Sequence, residues 1–285
     1  MLQSLPLFTN SLKNKNQSLK QPGVYIAPGY FNLKNFFVKL HLRVKNYVVK
    51  NCIGNCPSVI PGRNGEQMNK VAFLLLYYLG SILIGYLLGC SNMAFFIGKI
   101  KGIDLRSGGS RNLGASNAFI MLGIPYAILV GAHDIGKAFL AVWLAKNICV
   151  WNFGTEIPYV GLLAGLACVY GHIFPFYLKF KGGKGTAAFV GMSFASHWML
   201  GVTAVLLILI CTLVTRYIVV GTAATILAIP IASGFLLHSR FVPFIFFCAT
   251  AVIAFKHRKN FIRIYRGTEI PLYGPKPTQE EVDNV

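Results

Sequence analysis

The sequence predicts an all-α protein that is integral to a membrane and has about seven transmembrane helices, some of them short or broken. Three observations support this fold class. The 285 residues are 55% hydrophobic and 12% charged, and soluble domains carry about twice that charged fraction. Long apolar runs recur between residues 71 and 255, separated by polar breaks. The runs lack the strict alternation of barrel strands, so helices are the structure that satisfies the backbone inside a bilayer.

The apolar runs differ in length, and length decides which of them can cross a bilayer as one straight helix. A crossing helix needs about 20 apolar residues. Runs of at least that length lie at 71–97, 157–178, 187–215 and 217–237, and shorter runs lie at 117–132, 138–151 and 241–255. We expect the short runs to be half-helices, buried inside the bundle or interfacial.

Three of the polar breaks between these runs are basic. They lie at 98–116, 179–184 and 256–266, whereas the break at 152–156 has one acid and no basic residue. Basic loops of membrane proteins stay on the cytoplasmic side. We therefore expect a multi-pass protein of the cell (plasma) membrane, whose three basic loops meet on the cytoplasmic face and form one site.

This arrangement constrains the path of the chain, because an even number of crossings must separate two loops on one face. The run at 117–132, which contains Gly123 and Pro125, would then be re-entrant or interfacial. The run at 187–215 would divide near His197. The result is seven crossings, with the N-terminus outside.

Composition divides the chain into three parts. Residues 1–67 hold nine Lys/Arg and one acid. We expect a basic N-terminal tail that is disordered or lies on the membrane surface, a targeting segment, or a stretch before the true start at Met68. Residues 68–270 form the membrane domain, and 271–285 form an acidic C-terminal tail. The net charge of +19 suits anionic lipid or a phosphorylated substrate, and we expect no nucleic-acid partner.

The first basic break contains the stretch from Asp104 to Phe119, in which small residues alternate with asparagines. Small residues let a ligand approach the backbone closely, serine and asparagine supply hydrogen bonds, and the start of the next helix favours an anion. A flexible loop with a helix cap is the alternative. The candidate substrate-binding residues are Ser110, Arg111, Asn112, Gly114, Ser116 and Asn117.

The second basic break combines glycines with a lysine immediately before an apolar run. Lys184 lies among Gly182, Gly183 and Gly185, so backbone N–H groups could cradle a phosphate beside the charge of the lysine. The spacing does not match the P-loop of nucleotide-binding proteins. A loop that only fixes topology is the alternative, but such a loop does not need three glycines.

Two further groups of ionisable residues lie in apolar surroundings. His172 precedes the glycine loop, and it is either a packing residue or a functional one, because ionisable side chains inside a membrane are costly. Asp134 and Lys137 are three residues apart, so they are predicted to form a structural ion pair on the first turn of a helix.

The third basic break carries residues that lipid binding does not need. A basic cluster beside a membrane can simply bind anionic lipid. His257, Asn260 and Glu269 are additions to such a cluster. An acid placed among cations organises them, and we expect Glu269 to order Arg258 or Arg266.

Together these motifs resemble those of the bacterial acyl-phosphate:glycerol-3-phosphate acyltransferase family. Residues 110–117 resemble its Ser-Gly-Asn-x-Gly-Ala-Thr-Asn motif, 171–175 its Gly-His-x-x-Pro, 180–185 its Phe-x-Gly-Gly-Lys-Gly, and 257–263 with 267–269 its His-Arg-x-Asn-Ile-x-Arg and Gly-Thr-Glu. Asp134 and Lys137 resemble an Asp-x-x-Lys-Gly element, with Ala138 in place of the glycine. The resemblance extends in order over residues 70–270.

Two departures from the pattern of the family matter for substrate binding. Arg111 stands where the family has a small glycine, and Ile120 stands where it usually has an arginine. An arginine there would be a natural ligand for a phosphate. Either Arg111 substitutes for it or the glycerol-phosphate pocket is altered.

The resemblance implies that a fatty acyl group is transferred from acyl phosphate to the sn-1 hydroxyl of glycerol 3-phosphate, giving lysophosphatidic acid. The transfer requires no metal or cofactor, and we expect the protein to be a monomer in the lipid bilayer. The implied catalytic residues are His172, Lys184, His257, Asn260 and Glu269, and Gly182, Gly183, Gly185 and Arg258 join the substrate-binding residues of the first motif.

Two other functions remain open from the sequence. A transporter of a phosphorylated solute would use similar anion-binding loops at broken helices, but it predicts an internal repeat and loops at the middle of the membrane. A family member that has lost its activity and binds lipid is the second, and Ile120 is the residue that suggests it.

Overall fold

The computed structural model describes residues 65–153 and 157–283, which all belong to one of two units of the chain, Ile60–Val285. The predicted tail at 1–67 lies almost wholly outside the described residues. Helices and loops, without strands, make up the described part of the chain. Its α-helices are α1 (Gly65–Cys90), α2 (Met93–Lys101), α3 (Ala115–Leu122), α4 (Ile124–Phe153), α5 (Val160–Ile173), α6 (Thr186–Ser196), α7 (Trp198–Thr215), α8 (Ile218–Leu236), α9 (Phe241–Arg266) and α10 (Gln279–Asp283).

The predicted class, an all-α integral membrane protein, is confirmed. Over the described residues, six segments are long and apolar enough to cross a bilayer by length and composition, and they correspond to α1 with α2, α4, α5, α7, α8 and α9. The 11-residue α6 is apolar as well, though shorter. Counting α6, these helices account for the expected number of about seven.

The predicted division of the chain around residue 135 is wrong. Instead of separate runs at 117–132 and 138–151, the structure has the short α3 and then one continuous helix of 30 residues, α4. Asp134 and Lys137 therefore lie in the middle of a long helix rather than on its first turn. Between the first two basic breaks the structure has two long helices, α4 and α5, an even number that requires no re-entrant run at 117–132.

Two breaks in long apolar stretches follow from local capping. Asn92 interrupts the first stretch. Its side chain accepts a hydrogen bond from the N–H of Phe95 at 2.9 Å and caps the start of α2, so a second helix begins after α1 ends. The predicted division of 187–215 near His197 is confirmed. Here α6 ends at Ser196 and His197 caps α7 by accepting the N–H of Met199 at 3.2 Å.

Glycines let α1 and α5 lie against each other with their backbones in contact. A Cβ atom on Gly85 would lie 2.2 Å from the carbonyl oxygen of Ala164, and one on Gly89 would lie 2.2 Å from that of Cys168. Gly171 of α5 approaches α1 in the same way. Small residues spaced four apart are typical of close helix packing in membranes, where dispersion contacts replace the hydrophobic effect.

The largest core cluster joins α4 to α9 and fixes the ends of the helices that carry the motifs. Phe189 of α6 packs edge to face on Phe246 of α9, with ring centroids 5.5 Å apart at 81°. Gly191 brings α6 against α4, since a Cβ there would lie 2.1 Å from the carbonyl oxygen of Ile135. Thr186, the first residue of α6, lies 3.2 Å from His257 in the later part of α9, so the start of α6 is held beside the end of α9 that carries the third motif.

Candidate active site

A pocket lies where the three basic segments meet, between the start of α3, the start of α6 and the last turns of α9. The residues that line it are Ser110, Ser116, Phe119, Ile120, Lys184, Ile218, Val219, His257, Asn260, Glu269, Ile270, Pro271 and Leu272. Each of the three sequence motifs contributes polar side chains to this lining. The structure thus brings together residues as far apart in the chain as Ser110 and Leu272.

A continuous chain of polar contacts runs along one side of the pocket. Lys184 Nζ donates to Asn260 Oδ1 at 2.7 Å, and Asn260 Nδ2 donates to Glu269 Oε1 at 2.6 Å. Arg263 Nε donates to the second carboxylate oxygen, Oε2, at 2.8 Å. The set holds two cations and one anion, so its net charge favours an anionic ligand.

The sequence of α9 explains why three of these groups meet. His257, Asn260 and Arg263 are spaced by three residues, which places them on one face of the helix, and all three are buried. The helix ends at Gly267 in the left-handed region (φ +74°), where glycine is favoured. The turn that follows brings Glu269 back against that face.

Burial lowers the pKa of the Lys184 ammonium group to about 8. The Glu269 carboxylate opposes this shift, whereas Arg263 and Lys256 add to it. Removal from water disfavours the charged form of an amine. A phosphate placed beside Lys184 would favour the charged form again, so the group can take up or release a proton close to neutral pH.

His257 is the histidine that lines the pocket. Its Nε2 lies 3.2 Å from Oγ1 of Thr186 on the first turn of α6. Its Nδ1 is buried and has no hydrogen-bond partner within the described part of the chain. An unpaired buried nitrogen costs free energy, which is consistent with a position that a substrate group completes.

The first motif divides into residues that face the pocket and residues that shape the loop. Ser110 and Ser116 line the pocket. Asn117 is fully buried, and its Oδ1 accepts the N–H and hydroxyl of Ser110 at 2.7 and 3.2 Å. Its Nδ2 donates to the carbonyl oxygen of Leu105. Asn117 therefore holds the loop, although the sequence placed it among the substrate-binding residues.

Three other residues of this motif that were predicted to bind substrate lie outside the pocket lining: Arg111, Asn112 and Gly114. Arg111 is exposed and has a positive φ of +52°. Asn112 is buried, with its Nδ2 close to Gly114. Arg111 therefore does not stand in the pocket wall, where Ile120 occupies the position of the family's arginine.

The glycine loop is built differently from the predicted phosphate cradle. The N–H groups of Gly182 and Gly183 donate to the carbonyl oxygens of Ile173 and His172, at 3.1 and 3.0 Å, so both amides are already used. The glycines are required for space instead. A Cβ atom on Gly183 would lie 2.0 Å from Nε2 of His172, and Gly185 has a φ of +96°. The loop packs tightly and holds Lys184 at the pocket.

His172 belongs to a buried cluster beside the pocket rather than to its lining. Lys137 Nζ lies 2.8 Å from Asp134 Oδ1 and 2.9 Å from His172 Nδ1, and it donates to the carbonyl oxygen of Ser91 at 2.6 Å. His172 Nδ1 lies 3.3 Å from Asp134. The predicted ion pair therefore forms, but it includes His172, and this histidine supports the glycine loop instead of facing a substrate.

Arg263 is a site residue that the sequence analysis missed. The predicted partners of Glu269 were Arg258 or Arg266, yet Glu269 holds Arg263. Arg258 is exposed and lies over the ring of Phe255 at 4.1 Å. The spacing from His257 and Asn260 could have identified Arg263, since residues three apart share a helix face.

Comparison with known proteins identifies the family of the chain. The family model described as glycerol-3-phosphate acyltransferase matches residues 79–267. Glycerol-3-phosphate acyltransferase 1 of Oceanobacillus iheyensis is 33% identical over 200 residues, which are 69% of this chain and 96% of the relative. The glycerol-3-phosphate acyltransferase of Thermosipho melanesiensis is 35% identical over 193 residues, 67% of this chain and 91% of the relative.

Two solved structures are also similar. Both are crystal structures of PlsY, an integral membrane glycerol 3-phosphate acyltransferase. The glycerol 3-phosphate form is 32% identical with a TM-score of 0.63, over 69% of this chain and 96% of that one. The lysophosphatidic acid form is 31% identical with a TM-score of 0.61, over 73% of this chain and 99% of that one. On the evidence of its motifs, its pocket and these matches, the chain belongs to the glycerol-3-phosphate acyltransferase family.

Proposed function

We propose that this protein transfers a fatty acyl group from acyl phosphate to the sn-1 hydroxyl of glycerol 3-phosphate, giving lysophosphatidic acid and phosphate, the first step of phospholipid synthesis. The observation that carries the proposal is the chain of contacts from Lys184 through Asn260 and Glu269 to Arg263. Three members of this net-positive set, Lys184, Asn260 and Glu269, line a pocket to which all three basic segments contribute polar side chains.

With an acyl phosphate as donor, the reaction needs few catalytic groups from the protein. The hydroxyl oxygen of the acceptor attacks the acyl carbonyl carbon, an ester bond forms, and the bond from that carbon to the phosphate oxygen breaks. The hydroxyl proton leaves with the departing phosphate, which is itself a base. The protein must therefore position two anions and stabilise the charge that develops on the carbonyl oxygen.

The pocket residues suit these tasks. Lys184 supplies the positive charge for a phosphate, and the hydroxyls of Ser110 and Ser116 supply hydrogen bonds. His257, which also lines the pocket, orients the acceptor hydroxyl. Glu269 would repel a phosphate if it were unpaired, and its pairing with Arg263 removes that penalty.

The proposal also covers the surroundings of the reaction. The acyl chain lies between helices and enters from the bilayer. The protein acts as a monomer in the plasma membrane, with the pocket on the cytoplasmic face. The basic breaks that supply the pocket support this orientation, because basic loops stay in the cytoplasm.

The test is an assay of purified protein in detergent, with labelled glycerol 3-phosphate and either palmitoyl phosphate or palmitoyl-CoA. We expect lysophosphatidic acid from the acyl phosphate. Lys184→Ala should abolish it, whereas Lys181→Ala, an exposed lysine of the same loop outside the pocket lining, should leave it unchanged. No product from either donor, in protein shown to be folded, would overturn the proposal.

A further inference from the structure

The segment that follows α9 forms one wall of the pocket, although it belongs to no helix. The positive φ of Gly267 turns the chain sharply away from the axis of α9. Residues 270–272 then line the pocket and directly follow Glu269. We term residues 270–273 the strap.

Three contacts tie the strap to the C-terminal end of α7. The N–H of Leu272 donates to the carbonyl oxygen of Arg216 at 2.7 Å, and the hydroxyl of Tyr273 donates to the carbonyl oxygen of Leu213. The guanidinium group of Arg216 lies 5.6 Å from the centre of the Tyr273 ring. The last carbonyl groups of a helix lack partners within it, so α7 offers the strap open acceptors.

The strap is also continuous with the polar chain of the site. Glu269 precedes it immediately and accepts hydrogen bonds from Asn260 and Arg263. Asn260 in turn accepts a hydrogen bond from Lys184. A movement of the strap would shift the apolar wall and Glu269 together. The position of the strap therefore affects how well the pocket fits a substrate.

We propose that Tyr273 is a positioning residue for acyl transfer: by tying the strap to α7, it fixes the pocket wall and the place of Glu269, and so strengthens binding of glycerol 3-phosphate. The proposal rests on the function proposed above. Tyr273 is not part of the pocket lining itself, so its effect reaches the substrate through residues 269–272. Contacts that exist before and during the reaction contribute to KM more than to kcat.

The test compares Tyr273→Ala, Tyr273→Phe and the control Tyr265→Ala. Tyr265 precedes the turn and is 93% exposed. Loss of one hydrogen bond and one cation–π contact should raise KM for glycerol 3-phosphate about tenfold in Tyr273→Ala, with kcat changed by less than about twofold. Tyr273→Phe keeps the ring above Arg216 and should raise KM about threefold. Tyr265→Ala should match the parent.

Two results separate this proposal from the general function. If the parent is active and KM is unchanged in Tyr273→Ala, the proposal is overturned while the function stands. If the parent is inactive, hydrogen exchange at the amide of Leu272 decides: exchange should be faster in Tyr273→Ala than in Tyr265→Ala, and equal rates would overturn the role of Tyr273. Should Tyr273→Ala fail to fold, Tyr273→Phe carries the same comparison.

Discussion

At the scale of single residues, two opposing influences set the pKa of Lys184. Burial disfavours the ammonium group and lowers its pKa to about 8, while Glu269 favours it. In the free protein we therefore expect Lys184 to be mainly protonated below a pH of about 8 and mainly neutral above it. Only the protonated form attracts a phosphate.

We predict that kcat/KM for glycerol 3-phosphate falls as the pH rises through about 8, because kcat/KM reports the free protein. The corresponding fall in kcat should occur at a higher pH, because a bound anion favours the charged form of the amine. The measurement is a pH profile of both parameters from pH 6 to 10, roughly the range that brackets the pKa. In Lys184→Arg the fall of kcat/KM in this pH range should disappear. A fall that persists in this variant would show that another group titrates.

Ile120 is the second residue whose role the pocket makes testable. It lies in the pocket wall at the position where the family usually has an arginine. The polar side of the pocket supplies the charge of Lys184, and an additional guanidinium would offer a phosphate two parallel hydrogen bonds.

We predict that Ile120→Arg lowers KM for glycerol 3-phosphate by about threefold to tenfold, the effect of one added charge-assisted hydrogen bond. Ile120→Met serves as the control for a change of shape without charge and should leave KM nearly unchanged. A higher KM in the arginine variant alone would show that the acceptor phosphate does not face this wall.

The residues of the site show what sequence alone could and could not provide. Lys184, His257, Asn260 and Glu269 were predicted from their motifs, and all four line the pocket. The role of His172 was not predictable from the chain around it. Its partners, Asp134 and Lys137, come from another helix, and pairings between helices leave no local pattern.

At the scale of the helices, α4 shows why a polar interruption in an apolar run is ambiguous. Residues 133–137 read as a break because they include an acid, a base and a histidine. In the structure the helix continues through them. Contacts to Ser91 and His172 on neighbouring segments satisfy the charges, so the cost of burying them does not stop the helix.

We predict that Asp134→Asn destabilises the protein strongly, by about 3–5 kcal/mol, because it leaves the ammonium group of Lys137 buried without its anion. Activity should fall as well, since His172 packs against Gly183 beneath Lys184. Thermal unfolding in detergent gives the measurement. Asp104→Asn removes a half-exposed partner of Arg106 and should cost no more than about 1 kcal/mol. Equal effects of the two variants would refute a special role for the buried cluster.

At the scale of the whole molecule, the pocket lies at the ends of helices. Lys184 lies two residues before the start of α6, and Asn260 lies in the last turns of α9. A transporter would place its anion loops at the middle of the membrane, so this arrangement disfavours that alternative. The matches to glycerol-3-phosphate acyltransferases independently favour the acyltransferase.

The positions of the pocket residues in the sequence indicate which part of the chain is needed for activity. The lining of the pocket extends from Ser110 to Leu272, and the family model matches residues 79–267. Residues 1–67 lie outside both ranges. The strap, in contrast, lies beyond the matched range at the other end and still forms part of the pocket wall.

We predict that a chain beginning at Met68 keeps kcat/KM for glycerol 3-phosphate within about twofold of the full chain, because it retains every lining residue. A chain ending at Glu269 should instead lose more than about tenfold, because it lacks residues 270–272 of the wall and the contacts of Tyr273 with α7. Both are compared with the full chain in the same detergent, after size-exclusion chromatography confirms that each is folded. Loss of activity in the first chain alone would show that residues 1–67 contribute to catalysis, and full activity in the second would show that the wall formed by the strap is dispensable.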